Sequence, residues 1–312
     1  MSTPAIENGS EPVPEIHDAR QARRLRHRLA RKQFLHAYAG DRAGMVGLGL
    51  IIAFIAVAVL APVLADRQGL GEAFGAGAPL QPPSAEFPLG TDYFGRSVLT
   101  LLIWGARVSL VVGLAAGVIT AIIGTAVGVV GGYAGGKTDV AMNALSNWFL
   151  VIPWVPLAIV LASIMGQSVF NVIIVIGITS WASTARLVRA QTLTVKERGY
   201  VERASALGAT RRKIVGKHVL PNLLPVILAN TVLMIALAIL SDTTLAILGL
   251  GDPNTVSWGS MLDEAFSYGA ITSGIWWWIL PPGIAIVTVV LSFTMCGIAL
   301  EKILDPRLRS RR

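Results

Sequence analysis

Charged residues, cysteine and ligand motifs are scarce in this sequence of 312 residues. Only 14% of the residues are charged and 54% are hydrophobic, a balance that the core of a soluble protein of this size does not need. A single cysteine, Cys296, excludes an intrachain disulfide and a paired-cysteine zinc site. The four histidines lack ligand spacing, and no G-x-S-x-G or H-E-x-x-H sequence occurs. We therefore expect no catalytic residues, no cofactor and no metal site on this chain.

Long apolar segments are abundant instead. A membrane-spanning helix needs about 20 mostly apolar residues, and several segments reach that length. The first is too long for the apolar core of a signal peptide, so we expect an uncleaved anchor. The segments predict an all-α, polytopic membrane protein with about six transmembrane helices, at Ala43–Ala65, Val108–Tyr133, Val140–Met165, Val169–Leu187, Leu223–Leu250 and Trp276–Leu300.

The basic residues are unevenly divided between the two sides of the predicted membrane. With the N-terminus in the cytoplasm, the inner segments hold 23 basic residues and the outer segments hold three, Arg67, Arg96 and Arg107. This division follows the positive-inside rule and predicts that both termini are cytoplasmic. Because the membrane accounts for the net charge of +8, we expect contact with lipid and no nucleic-acid binding.

These patterns also predict the organisation of the chain. Within the N-terminal tail, the arginine-rich residues 17–36 favour either a basic amphipathic helix on the membrane surface or a solvated tail. The external loop contains several prolines and glycines, which favour a loop or lid over a membrane span. The predicted parts are a cytoplasmic tail at 1–42, a transmembrane domain at 43–304 with an external loop at 66–106 and a cytoplasmic loop at 190–221, and a basic tail at 305–312.

Small and polar residues inside the apolar segments predict specific contacts. Glycines at near-helical spacing in the second segment should let neighbouring helices approach closely in lipid; they are Gly113, Gly117, Gly124, Gly128 and Gly132.

Asn147 and Asp242 are the polar residues deepest in apolar sequence. Burying a charge in the membrane costs at least ~2.5 kcal/mol, so both should face protein or a water-filled path. Asp242, followed by Thr243 and Thr244, is the better candidate for a pathway residue. A structural hydrogen bond to a neighbouring helix is the alternative.

The segment Gly131–Thr138, GGYAGGKT, satisfies the G-x-x-x-x-G-K-[ST] pattern of phosphate-binding loops. A working loop of this kind lies between a buried β-strand and a helix of an α/β sheet, whereas these glycines end one apolar segment and precede another. Glycine tolerates positive φ at a helix C-terminus, and Lys137 suits a cytoplasmic turn. We interpret the segment as a turn between helices.

The predicted cytoplasmic loop contains two short helical patterns. Tyr200–Leu207 suits a helix with Glu202 in its first turn, where an acidic side chain is favourable against the helix dipole. Gly208 then permits a sharp turn, and Ala209–Val219 suits a second helix that enters the membrane near Pro221. The pattern predicts a helix–turn–helix at the membrane surface.

The spacing in this loop resembles the "EAA" loop of ABC importer permeases, whose pattern is Glu-Ala-Ala, three residues, Gly, nine residues and Ile-x-Leu-Pro. Arg203 and His218 depart from the pattern, which the other motif positions match. In that family the loop docks in a groove of the ATPase subunit. The resemblance therefore implies an ATPase-coupling surface made of Tyr200, Glu202, Ala204, Ser205, Ala206, Leu207, Gly208, Leu220 and Pro221.

The resemblance covers nearly the whole chain and is to the dipeptide, oligopeptide and nickel permease group. Asn147 and Asp242 stand where that group usually has an aspartate and a glutamate. The segments that carry the likeness are Phe87–Ser97, Gly105–Leu110, Gly249–Gly251, Ser257–Gly259 with Met261 and Leu262, Trp276–Pro282 and Leu304–Leu308.

By resemblance, this is one of two related permease subunits in a bacterial plasma (inner) membrane. Its partners would be a second permease, two ABC ATPase subunits or one fused ATPase that carry ATP and Mg, and an extracytoplasmic binding protein. Peptides are the expected substrates, with nickel or another small solute as the alternative. An ion-coupled carrier that needs no ATPase is the alternative from another class.

Overall fold

The computed structural model describes residues 34–70 and 77–304. Within these ranges the chain is helical, and its only strand-like pairing is one bridge between Thr91 and Ser97. The predicted tails up to residue 33 and from residue 305 lie outside the described residues. The helices are α1 (Arg42–Leu64), a 3-10 turn (Arg67–Leu70), α2 (Val98–Ala134), α3 (Gly136–Val151), α4 (Trp154–Met165), α5 (Val169–Lys196), α6 (Gly199–Ala206), α7 (Arg211–Ile214), α8 (Leu220–Ile247), α9 (Trp258–Ser267) and α10 (Trp276–Leu304).

The described helices match the predicted number of membrane spans. Five are long and apolar enough to cross a membrane, and α3 with α4 makes a sixth if that bent pair is one span. The continuous helix Arg211–Ile247, which contains α7 and α8, counts as one of the five. The all-α polytopic prediction is therefore confirmed.

Helix α2 lies at the centre of the bundle and packs against α1, α5 and α8. Its glycines make the close approach possible, as predicted. A Cβ atom at Gly117 would lie 2.7 Å from the Ile235 side chain of α8, and one at Gly128 would lie 2.6 Å from the Ala185 carbonyl oxygen of α5. A larger residue at either position would push α2 away from its neighbours.

The third apolar segment differs from the straight span that its length predicted. It forms α3 and α4, which meet at an angle of 91°. Ile152 between them is extended, with φ −69° and ψ 126°, because the ring of the following Pro153 disfavours helical conformation at the residue before it. Trp154 Nε1 donates a hydrogen bond to Thr179 Oγ1 of α5 at 3.0 Å, which holds this elbow against the bundle.

Two loops are shorter than predicted. Helix α2 begins at Val98 rather than Val108, so the external loop ends at residue 97 instead of 106. Hydropathy places the start too late because Arg107 makes the first turns less apolar without interrupting the helical backbone. Similarly, α5 continues to Lys196, so residues 190–196 of the predicted cytoplasmic loop are helical.

The bundle has two ends of different composition. The basic end carries the α2–α3 turn, residues 197–219 and the C-terminus of α10. The loop end carries residues 65–70, 77–97 and 248–275. We keep these two names below.

Candidate functional site

The coupling segment, residues 199–221 at the basic end, begins with the short helix α6. Its bounds, Gly199–Ala206, agree within one residue with the predicted helix. The helix ends at Gly208, whose φ of +77° lies in the left-handed region. Gly208 N–H donates to the Ser205 carbonyl at 3.0 Å, and Ala209 N–H donates to the Ala204 carbonyl at 3.1 Å. This hydrogen-bond pair is a Schellman motif, which explains why the turn needs glycine.

The second predicted helix of the segment is present but irregular. Helix α7 covers Arg211–Ile214 and continues into a π turn at Val215–Val219, and α8 follows from Leu220. The backbone thus runs without a break from the coupling segment into a membrane span. Pro221 lies in the first turn of α8, where its missing N–H is tolerated. Single π turns of this kind are frequent at functional sites.

The inner face of the coupling segment is fixed by apolar packing. Val201 of α6 and Ile214 of α7 are buried, Ile214 with 1% of its surface exposed. They pack in one cluster with Val219 of the π turn and with side chains from α2, α5 and the start of α8, which are Val129, Val188, Val195 and Leu223. A displacement of the segment must therefore move the ends of these membrane helices as well.

The outer face of the same segment is open. Leu207, at the tip, has 88% of its surface exposed, although an exposed leucine gains nothing from the hydrophobic effect. Glu202 is exposed beside it, as are Ser205, Ala206, Gly208, Leu220 and Pro221.

Tyr200 and Ala204, the other two predicted coupling residues, are half-buried. The Tyr200 ring lies 6.2 Å from the ring of His218, so it packs against the second half of the segment. Most of the predicted coupling residues therefore lie on the exposed outer face of the segment. Tyr200 and Ala204 instead connect that face to the apolar cluster under the segment.

The α2–α3 turn at the basic end contains the GGYAGGKT sequence. Gly135, with φ +69°, lies between the two helices, so the motif connects helix to helix as predicted. Arg189 Nη2 of α5 donates to Asp139 Oδ2 at 2.7 Å, and Lys196 Nζ lies 5.7 Å from the centre of the Tyr133 ring. These contacts attach the turn to α5 next to the coupling segment.

The predicted pathway residues do not lie together. Asn147 is exposed on α3, where its Oδ1 accepts a hydrogen bond from Arg186 Nη2 at 3.0 Å. Asp242 of α8 is 6% exposed, and its Oδ2 has no hydrogen-bond partner within the described residues. Thr243 and Thr244 donate to carbonyl oxygens one turn back in their own helix, at 3.0 Å and 2.9 Å.

A cavity under the α3–α4 elbow was missed by the sequence reasoning. It measures about 390 Å³ and lies between the elbow and helices α2, α5 and α8. Phe149 and Trp154 contribute aromatic surface to it. Hydroxyl groups also line it, from Thr120, Thr179, Ser180, Ser183 and Ser241. Such a mixture of apolar walls and a few polar groups is typical of ligand pockets.

The loop end is fixed by an ionic network around a buried arginine. Arg96 is 4% exposed and donates from Nε to Asp92 and from Nη2 to Glu264 of α9. Burial raises the pKa of Asp92, and the charge and hydrogen bond of Arg96 oppose that effect. Burial disfavours the charge of Arg96, but Glu264 and Asp92 outweigh it and raise the pKa of the guanidinium. Arg96 was noted in the sequence only as an outer basic residue.

Together, the helical bundle and the exposed segment at its basic end define a membrane protein of the transport-permease class. Residues 124–310 match the family described as binding-protein-dependent transport system inner membrane component. The chain belongs to this family and is an inner membrane component of a transport system.

Curated relatives are similar to the chain over most of their length. The dipeptide transport system permease protein DppC of Alkalihalophilus pseudofirmus is 35% identical over 86% of this chain and 88% of its own. The oligopeptide transport system permease protein OppC of Bacillus subtilis is 33% identical over 89% of this chain and 90% of its own. OppC of Escherichia coli K12 is 36% identical over 90% of this chain and 91% of its own.

Proposed function

We propose that this chain is a permease subunit of an ATP-driven peptide importer and forms half of the translocation pathway. The peptide transport permeases among its relatives support the substrate class. The single observation that carries the coupling role is Leu207, an exposed leucine at the tip of a segment whose other face is packed against three membrane helices.

Docking of an ATPase subunit would cover Leu207 and the small residues beside it. Small side chains let a partner surface approach closely, and a few residues buried near the centre of an interface contribute most of its affinity. ATP and Mg belong to that partner in this proposal. Closure of the ATPases would displace the coupling segment, and α2, α5 and α8 would move with it.

The transport step is then a shift between two arrangements of the bundle. The ATPases stabilise one arrangement through contacts that the other lacks, and the pathway opens to the opposite side. The hydroxyl-lined cavity at the elbow is the part of this chain that best suits a passing peptide, since hydroxyl groups both donate and accept hydrogen bonds. A second permease subunit would supply the other wall, and an extracytoplasmic binding protein would deliver the substrate.

Asp242 favours a second candidate function, an ion-coupled carrier. A buried carboxyl group in a membrane helix is typical of proton and ion relays. Uptake that depends on a proton or sodium gradient and continues without ATP would support the carrier. Permeation of nickel or another small solute is the alternative within the importer proposal, and uptake assays with each solute distinguish it from peptide transport.

The proposal is tested by purifying the tagged chain from its native membrane in detergent and identifying the proteins that accompany it. We expect an ATPase and a second permease with the wild type, and loss of the ATPase with Glu202→Lys, which inverts a charge on the docking surface. Glu197→Lys is the matched control, because Glu197 is also exposed but precedes α6. A chain that purifies alone and still transports would refute the proposal.

A further inference from the structure

The three basic residues that the charge pattern places on the outer side lie around one cavity. Arg67, Arg96 and Arg107 all line a cavity of about 1000 Å³ at the loop end. They come from the 3-10 turn, from the loop before α2 and from the third turn of α2. Basic residues are depleted outside a membrane by the positive-inside rule, so their collection in one place calls for a specific cause.

The three arginines have different roles in the cavity wall. Arg96 is buried and engaged by Asp92 and Glu264, so it holds the Glu264 carboxylate in position. Arg67 and Arg107 are exposed. The Arg67 guanidinium lies 6.0 Å from the centre of the Trp104 ring, and Trp104 Nε1 donates to the Ala65 carbonyl at 3.1 Å. The tryptophan thus gives Arg67 a fixed aromatic support.

The chemistry of these side chains points to a carboxylate ligand. A guanidinium group presents parallel N–H donors that match the two oxygens of a carboxylate, and such pairs are among the strongest hydrogen bonds in proteins. The cavity volume lies at the upper end of the range of about 300–1,000 Å³ for small-molecule sites. Asp66 and Glu264 line the same cavity, but Glu264 is paired with Arg96, so the exposed guanidinium groups of the wall are those of Arg67 and Arg107.

We propose that this outer cavity receives the peptide before it enters the bundle, with Arg67 and Arg107 binding its C-terminal carboxylate. The inference rests on the proposed peptide transport. A free peptide ends in a carboxylate, and the two exposed arginines present the complementary charge.

The test uses the intact importer complex in proteoliposomes, with its binding protein on the outside and ATP enclosed on the inside. Uptake is compared for the tripeptide Ala-Ala-Ala and for its C-terminal amide, in wild type and in the double variant Arg67→Gln/Arg107→Gln. Glu86→Gln is the control, because Glu86 is an exposed loop-end charge that is not among the residues lining the cavity. The binding protein is the same throughout, so a changed acid-to-amide ratio must come from the permease.

We expect the double variant to lower uptake of the free acid about tenfold, because it loses one charge-assisted contact with the carboxylate. Uptake of the amide should stay unchanged. Glu86→Gln should leave both unchanged. An equal fall for both peptides would overturn the proposal in favour of binding-protein docking or, if the fall depends on the phospholipid of the proteoliposomes, of lipid contact. Unchanged uptake of both peptides would overturn it too.

A second measurement locates the peptide independently of uptake. A tripeptide ending in benzoylphenylalanine, as acid or amide, is irradiated with the complex, and the crosslinked residues are identified by mass spectrometry. Acid-specific crosslinks near Trp104 and Asn254 that disappear in the double variant are expected; their absence would contradict the site. Failure of wild-type peptide uptake would refute the proposed function itself, whereas uptake without acid-specific crosslinks would refute only the cavity.

Discussion

The two ends of the bundle are fixed to the membrane helices by different physics. At the basic end, the coupling segment rests on a cluster of aliphatic side chains and leaves its tip exposed. At the loop end, the buried Arg96 and Asp92 form an ionic network with the half-buried Glu264. Apolar contacts are non-directional and tolerate small rotations, whereas a buried ionic network requires every partner in place. In the proposed coupling, the segment at the basic end would be a moving lever and the loop end would be a rigid frame.

The largest expected effect is on the rigid frame. Arg96→Ala should destabilise the protein by about 3–5 kcal/mol, because it leaves the Asp92 carboxylate buried without its partner. The measurement is thermal unfolding of the detergent-purified chain. Arg107→Ala, which removes an exposed arginine of the same face, should change stability by no more than about 0.5 kcal/mol. Equal losses of stability in the two variants would show that the ionic network of Arg96 does not fix the loop end.

The next largest loss of stability is expected at the packed inner face of the coupling segment. Ile214→Ala should cost about 2–5 kcal/mol, since it opens a cavity in the cluster under the coupling segment. Hydrogen exchange of residues 199–219 should rise in the variant, while exchange in residues 77–97 stays as in wild type. An equal rise of hydrogen exchange at both ends of the bundle would show that the two regions do not open independently.

The turn at Gly208 should respond more modestly in stability but strongly in function. Gly208→Pro imposes a φ near −65° where the chain has +77°, a local strain of about 1–3 kcal/mol. It also removes the N–H that bonds to Ser205. We expect normal insertion into the membrane but at least a tenfold loss of ATP-driven uptake, compared in membrane vesicles.

Gly208→Asn is the control for that turn, because asparagine tolerates the left-handed region better than other non-glycine residues. It should retain most of the uptake. Normal ATP-driven uptake by Gly208→Pro would contradict a mechanical role for the turn at Gly208.

The smallest effect on stability is expected at the exposed tip. Leu207→Ala should leave thermal unfolding within about 0.5 kcal/mol of wild type, yet weaken the association of the ATPase by at least about 1 kcal/mol if Leu207 is a central anchor. Titration of the purified permease with its ATPase measures this. If Leu207→Ala loses stability but keeps its affinity for the ATPase, Leu207 belongs to the packed face of the coupling segment and not to its docking face.

Much of this architecture could be predicted from local sequence, and the failures have local causes. Hydropathy located the spans, but Arg107 delayed the predicted start of α2, and a window average cannot detect the bend at Pro153. Gly208 and its spacing predicted the turn of the coupling segment. Which residues face inward, such as Val201, and which outward, such as Leu207, depends on helices far away in sequence.

The elbow cavity could be predicted least. Asn147 and Asp242 stand out because an amide or a charge is rare in apolar sequence, and they stay predictions. The hydroxyls at the elbow come from α2, α5 and α8, and only those of α5 share a helical spacing. The ionic pair of Arg96 and Glu264 likewise joins residues that are distant in the chain. Such contacts arise only when the helices pack.

The central claim, that the exposed tip of residues 199–221 contacts an ATPase, is tested most directly by site-specific crosslinking. Cys296, the one native cysteine, is buried, so a cysteine introduced as Leu207→Cys provides the accessible thiol for a benzophenone label. Ile271→Cys, an exposed position at the loop end, is the control. We expect the label at 207, and not at 271, to crosslink the co-purified ATPase on irradiation. An intact complex in which 207 gives no ATPase crosslink, or in which 271 does, would contradict the account.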